Sequence, residues 1–135
     1  MTLSSEDKKA LCNLRMQKAK EFLDDAKKNF DEGRYKTSVN RSYYAALSAA
    51  RALLILEGAN PETHDGIITM LSLKFVKTGQ LSHNSIKAFK TLLSLRTDVD
   101  YGDFDTIDKD EALDAYTKAV EFINTMEKLQ QTIIL

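Results

Sequence analysis

The segment between Gly33 and Leu56 contains no acidic residue, whereas it contains the basic residues Arg34, Lys36, Arg41 and Arg51. On an ideal helix, six residues of this segment would form a polar stripe about 100° wide, separate from the apolar face. These residues are Asn40, Arg51, Tyr44, Thr37, Ser48 and Arg41. Arginine binds phosphate oxygens and a tyrosine ring can stack on a base. The stripe therefore indicates a phosphate-binding surface, with a solvated helix face that carries extended arginines as the alternative.

A second candidate lies further along the chain, where an arginine and an aspartate extend an apolar stripe. The stripe runs at helical spacing through Ile86, Phe89, Leu93, Arg96 and Asp100. Charges on a core-facing stripe need partners, because burial of an unpaired charge is costly. One interpretation is a partly buried ion pair that joins two helices. The other is that Asp100 orients Arg96 toward a phosphate in a cleft.

A third segment is crowded with carboxylates that could suggest a metal site: Asp98, Asp100, Asp103, Asp105, Asp108, Asp110, Glu111 and Asp114. If a calcium-binding loop began at Asp98, Gly102 would fall on a ligand position and Lys109 on the position of the bidentate glutamate. Helix capping, a solvated loop or a basic partner surface explains the carboxylates better. We predict no metal and no cofactor.

The remaining residues of potential chemical interest are isolated in the sequence. His64 and His83 lack metal-ligand spacing and each lies near the start of a predicted helix, so capping or solvent exposure is the default interpretation. Cys12 has no neighbour that would activate a thiol. The sequence contains no glycine-rich phosphate loop and no nucleophile elbow. Nucleophilic catalysis by serine or cysteine is therefore not indicated.

Five segments with helical periodicity must position these residues, because glycines at 33, 58, 79 and 102 divide the chain and no segment alternates like a strand. Helix one is predicted from near Ser4 to 32 and helix two from 35 to 57. Helix three follows Pro61 and ends at Gly79, and helix four begins at Ser82 or Ser85. Helix five begins near Asp108, which forms a capping pair with Glu111. The pattern predicts an all-α, up-and-down bundle that forms a single domain over residues 1–135.

Composition limits the class of protein further. The 135 residues are 43% apolar and have a formal net charge of −1, which excludes a uniformly basic nucleic-acid coat protein. No apolar run approaches the roughly 20 residues that span a bilayer, and the first ten residues do not form a signal peptide. A single cysteine suits a reducing compartment. We therefore expect a cytoplasmic protein without a membrane segment.

Several blocks of sequence, taken together, resemble the HEPN domain family (higher eukaryotes and prokaryotes nucleotide-binding), in its small stand-alone prokaryotic branch. The blocks are Gly33-Arg34-Tyr35, Asn40-Arg41-Ser42-Tyr43-Tyr44-Ala45-Ala46, Thr63-His64-Asp65-Gly66, Phe75-Val76-Lys77-Thr78-Gly79 and Leu95-Arg96-Thr97-Asp98-Val99-Asp100-Tyr101. The resemblance extends from helix one to helix five. It implies a helical bundle with an additional helix, commonly a homodimer. It also implies pairing with a minimal nucleotidyltransferase in a toxin–antitoxin system.

Ribonuclease members of this family use an arginine followed four to six residues later by a histidine. This chain departs from that pattern, because no histidine follows Arg96 in that window or anywhere beyond His83. Only Arg96 matches the catalytic motif, with Asn40 or Arg41 as the upstream polar position. Tyr101 resembles the tyrosine that partner nucleotidyltransferases adenylylate in some pairs.

The sequence thus favours a HEPN protein that binds a nucleotide or an RNA phosphate and docks a minimal nucleotidyltransferase. The predicted binding residues are Arg41, Tyr44, Arg51, Arg96 and Tyr101, with Asn40, Ser48 and His64 as further cleft residues. One alternative is a metal-independent endoribonuclease toxin that uses Arg96 and Asp100. Another alternative is a helical interaction module without a nucleotide site.

Overall fold

The computed structural model describes residues 2–102 and 106–134, and within these ranges it contains five α-helices and no strand. The helices are α1 (Ser5–Asp31), α2 (Tyr35–Leu56), α3 (His64–Leu71), α4 (His83–Tyr101) and α5 (Lys109–Ile134). The all-α bundle predicted from the sequence is confirmed. Residues 103–105 of the acidic segment, with Asp103 and Asp105, lie outside the described residues.

Short polar side chains begin most of these helices, as the sequence predicts. The Ser4 hydroxyl accepts a hydrogen bond from the backbone N–H of Asp7, and Ser82 does the same for α4. At α5, Asp108 Oδ1 accepts from the N–H of Glu111 at 2.8 Å, and Glu111 Oε1 accepts from the N–H of Asp108 at 3.3 Å. This reciprocal pair satisfies two N–H groups that the helix leaves free. At α4, the hydrogen bond to the Ser82 hydroxyl shows that Ser82, rather than Ser85, is the residue that starts the helix.

Helix α2 is the centre of the bundle and packs against α1, α4 and α5. Its inward face is made mostly of alanine and large apolar residues, and the small side chains let the neighbouring helices approach closely. Ser38 is buried in this face, where its hydroxyl donates to the carbonyl of Ala26 in α1 at 2.8 Å. The polar side of α2 is therefore left beside α1 and α4, where the candidate functional residues lie.

The third predicted helix differs from its expected form. After Leu71 the helix continues as a π-helical turn, Ser72–Val76, in which the N–H of Lys77 donates to the carbonyl of Ser72 at 2.9 Å. The turn keeps both Leu71 and Phe75 fully buried in the core. The chain then reverses at Gly79, whose φ of 82° favours glycine.

Candidate functional site

Arg96 is the centre of the candidate site, because it is a cation that is only 8% exposed. One NH group of its guanidinium donates to Asp100 Oδ2 at 3.1 Å, one helical turn further along α4. The other terminal nitrogen lies 3.1 Å from Nε2 of His64, at the start of α3. The Nε of Arg96 is buried without a hydrogen-bond partner among the described residues. Two elements distant in sequence therefore meet at one guanidinium.

The contacts of His64 determine which of its ring nitrogens carries the proton. A guanidinium only donates, so Nε2 must accept from Arg96, and Nδ1–H then donates to the hydroxyl oxygen of Tyr43. Burial lowers the pKa of His64, the charge of Arg96 lowers it further, and Asp65 acts in the opposite direction. The imidazole is therefore neutral near pH 7, and the lone pair that could accept a proton is on Nε2.

Two tyrosine rings cover the guanidinium of Arg96. Its central carbon lies 5.0 Å from the ring centre of Tyr43 and 5.7 Å from that of Tyr44. Burial alone would lower the pKa of Arg96, but the hydrogen bond to Asp100 and the nearby tyrosines raise it above its ordinary value. Arg96 therefore remains a fixed positive charge in a largely buried position.

Four residues of the predicted α2 stripe follow one another along the helix beside this cluster, at intervals of three or four. At one end, Asn40 Nδ2 donates to Asp100 Oδ1 at 3.5 Å. At the other end, Arg51 donates to Asn60 Oδ1 at 3.5 Å. Tyr44 and Ser48 occupy the positions between them. The stripe thus connects the Arg96 cluster with the loop that precedes α3.

Two surface hollows adjoin the stripe and share Leu47 and Arg51 as a common wall. The first, about 380 Å³, lies between α1 and α2, and Tyr44 and Ser48 also line it. The second, about 250 Å³, lies against the start of α3 and reaches His64. A ligand in either hollow would touch Arg51.

Three of the five predicted binding residues line neither hollow: Arg41, Arg96 and Tyr101. Arg96 contacts His64, which lines the second hollow. Arg41 faces α1, where its Nε is 3.5 Å from Asp25 Oδ2 and its guanidinium lies over the Phe22 ring at 5.8 Å. Tyr101 is 76% exposed at the end of α4 and lines neither hollow. The structure therefore brings together Arg96, Asp100, His64, Tyr44 and Asn40, with Ser48 and Arg51 beside them.

Tyr43 was absent from the residues predicted for the site, because helical periodicity places it on the core face of α2. The ring is indeed fully buried, but the hydroxyl contacts His64. The available signal was the residue type, since a buried tyrosine nearly always has a partner for its hydroxyl. Arg15 and Lys18 of α1, which line the first hollow, were also missed.

Within residues 2–102 and 106–134, no group of three or more histidine, cysteine or acidic side chains could hold a metal ion. In the same part of the chain, no helix has the length and apolarity needed to cross a membrane.

Known proteins are similar to this chain over most of its length. The family model described as HEPN domain matches residues 12–129. A UPF0332 protein of Thermotoga maritima is 33% identical over 113 residues, which cover 84% of this chain and 86% of that protein. A Methanocaldococcus jannaschii protein named "Putative toxin MJ0605" is 33% identical over 119 residues, which cover 86% of each of the two chains.

Proposed function

Since the chain belongs to the HEPN domain family, we propose that it is a toxin-like protein whose Arg96 cluster binds a phosphate of RNA or of a nucleotide. One observation carries this proposal. A buried guanidinium that is permanently charged lies between an aspartate and a neutral histidine, next to a hollow walled by a second arginine. A simple structural ion pair would need neither the histidine nor the hollow.

The arrangement can hold an anion because its positive charges do not depend on pH in the physiological range. Asp100, at 28% side-chain exposure, keeps Arg96 oriented without neutralising Arg51. In a site shielded from water, hydrogen bonds from a guanidinium to a phosphate are short and strong. The bound phosphate would lie in the second hollow, which Arg51, His64 and Glu62 line, and Arg96 would reach it beside His64.

A second candidate function, metal-independent RNA cleavage, is favoured by the 3.1 Å contact between His64 Nε2 and Arg96. When Arg96 turns this donor from Nε2 to the phosphate, Nε2 would be free to remove the proton of a ribose 2′-hydroxyl, and the oxygen would then attack the adjacent phosphorus. The bond to the 5′-oxygen would break, giving a 2′,3′-cyclic phosphate and a 5′-hydroxyl that takes up a proton. Arg96 would stabilise the negative charge of the transition state. His64 would thus supply the base that the sequence lacks after Arg96.

The test compares binding and cleavage of a fluorescent RNA oligonucleotide in EDTA by the wild type and by Arg96→Met and His64→Gln. Phosphate binding predicts that the Arg96 variant loses affinity while His64→Gln retains most of it. Cleavage by wild type that is lost in both variants would establish the second function. A wild-type protein that neither binds nor cleaves RNA, and whose melting temperature does not respond to ATP, would refute both and leave a helical interaction module.

We further propose that the protein forms a homodimer and docks a minimal nucleotidyltransferase. The support is the exposed side chain of Tyr101, five residues after Arg96, together with the family resemblance. Incubation with such an enzyme and ATP should add adenylyl groups to the wild type and none to Tyr101→Phe, as measured by mass spectrometry. Light scattering of the purified protein measures the oligomeric state, and a monomer at micromolar concentration would refute the dimer.

A further inference from the structure

The hollow between α1 and α2, here named the α1–α2 groove, has an unusual distribution of charge. Three cationic side chains line it, together with two aromatic rings and a serine, and no carboxylate is among the lining residues: Arg15, Lys18, Phe22, Tyr44, Ser48 and Arg51. Within the described residues, none of the three cations forms an ion pair. A surface of this kind attracts anions.

The two arginines of the groove are held close to each other. Arg15 donates to the backbone carbonyl of Arg51 at 3.3 Å. Burial lowers the pKa of Arg15, and the positive charge of Arg51 lowers it further. The Nε of Arg51 is buried and has no hydrogen-bond partner in the described part of the chain. The repulsion and the unused donor would both be relieved by an anion between the two guanidinium groups.

The aromatic rings of the groove add a second kind of contact. The Phe22 and Tyr44 ring centres are 5.9 Å apart, and both side chains are partly exposed. The ammonium group of Lys18 lies over the Phe22 ring at 5.9 Å. The Tyr44 ring also lies next to the guanidinium of Arg96, at 5.7 Å. The same tyrosine therefore borders both the groove and the Arg96 cluster.

We propose that the α1–α2 groove is a second subsite, which binds the phosphate and base of a single-stranded RNA next to the nucleotide held at Arg96. This inference rests on the proposed function, since it extends the same ligand along α2. The cations would hold the phosphate, and the base would stack on Phe22 or Tyr44. An acidic peptide would satisfy the cations but has no flat base to stack on the exposed parts of these rings, so RNA fits the groove better.

The experiment measures binding of a short fluorescein-labelled oligouridine in EDTA by fluorescence anisotropy at several salt concentrations. The test variant is Arg15→Gln/Lys18→Gln. The matched control is Lys9→Gln, an exposed α1 lysine outside the groove. We expect the double variant to bind about tenfold more weakly. Its slope of log K against log salt should be smaller by about 1.4, because each cation that no longer reaches a phosphate reduces the slope by about 0.7. The control should match the wild type.

Stacking has its own variant, Phe22→Leu, which keeps an apolar side chain and removes the flat ring. We expect it to weaken oligouridine binding about tenfold while the salt slope stays unchanged. Thermal unfolding of each variant checks that the bundle is intact, and affinities are compared only below each transition.

The outcomes separate this inference from the proposed function. If Arg96→Met abolishes binding while the double variant and Phe22→Leu both match the control, the groove is not a subsite and the proposed function stands. If the wild type binds no oligouridine, the RNA subsite is overturned, whereas the proposed function is overturned only if ATP also leaves the melting temperature unchanged. If polyglutamate displaces oligouridine equally well from wild type and from Phe22→Leu, the groove binds an acidic protein segment and the RNA subsite is overturned.

Discussion

Tyr43→Phe tests the arrangement around His64 by removing a single oxygen atom. The ring of Tyr43 is fully buried against Phe89 and Arg96, and these ring contacts remain in the variant. The hydroxyl that the variant lacks is the partner of His64 Nδ1. Without it, Nδ1–H has no acceptor in the described part of the chain, and the imidazole is held only by the hydrogen bond that Arg96 donates to Nε2.

The expected effects differ in size between stability and activity. Removal of one hydrogen bond costs about 1 kcal/mol in the free energy of unfolding. For a chain of 135 residues, this lowers the melting temperature by about 3 to 4 °C. Phosphate affinity should change less than about twofold, because the donors of Arg96 are unaffected. If the protein cleaves RNA, the rate should fall about a hundredfold, since the imidazole loses the hydrogen bond that fixes its orientation on the side of Nδ1.

Nitrogen-15 NMR of the histidine side chains measures the tautomer directly, and calorimetry measures the melting temperature. In the wild type at neutral pH, Nδ1 of His64 should carry the proton and Nε2 should not. Tyr44→Phe is the control, because the Tyr44 hydroxyl makes no hydrogen bond within the described residues. A wild-type His64 that is protonated on Nε2, or a Tyr43→Phe variant with unchanged stability, would refute this reasoning.

Three further predictions concern pH, the ion pair and the cysteine. Because burial and Arg96 lower the folded pKa of His64, the unfolded chain binds a proton more readily. The free energy of unfolding should therefore fall as the pH drops below about 6.5, and denaturant titrations should find a smaller fall in His64→Gln. Asp100→Asn should lower the free energy of unfolding by about 1 kcal/mol and the free energy of RNA binding by more than that. Equal losses, measured by calorimetry and by anisotropy, would indicate a purely structural pair. Burial raises the pKa of Cys12 to about 11, so Ellman's reagent should label the folded protein far more slowly than the denatured one, and equal rates would contradict this burial.

Most of the fold could be predicted because local signals in the sequence agree with one another. The apolar periodicity of α2, the positive-φ Gly58 after it and the capping pair of Asp108 and Glu111 each depend on residues within a few positions. The π-helical turn Ser72–Val76 was missed, because its residues have no feature that distinguishes them from an ordinary helical turn. Leu71 and Phe75 are both fully buried there, which is a feature of the tertiary packing and not of the local sequence.

In the candidate site, too, the contacts between residues close in sequence could be predicted and those between distant residues could not. The pairing of Arg96 with Asp100 follows from a spacing of four residues on one helix. The contact of Arg96 with His64 spans 32 positions, and no local pattern fixes which histidine, if any, reaches the arginine. The sequence has no histidine after Arg96 and indicated His64 only as a further cleft residue, and the fold brings His64 from α3 into contact with Arg96.

The net charge of the chain is near zero because acidic and basic residues balance, but they lie in different places. Their positions affect how an anionic ligand would approach. Many acidic residues follow Arg96, at the end of α4 and the start of α5, and Asp100 is the member of this segment that contacts the guanidinium. On the other side of Tyr44 lies the α1–α2 groove, lined by three cations and no carboxylate. Acidic residues repel a phosphate over roughly a Debye length, about 8 Å at physiological salt. An RNA strand should therefore meet the groove first and reach Arg96 along α2, with Asp100 limiting how far it extends beyond the cluster.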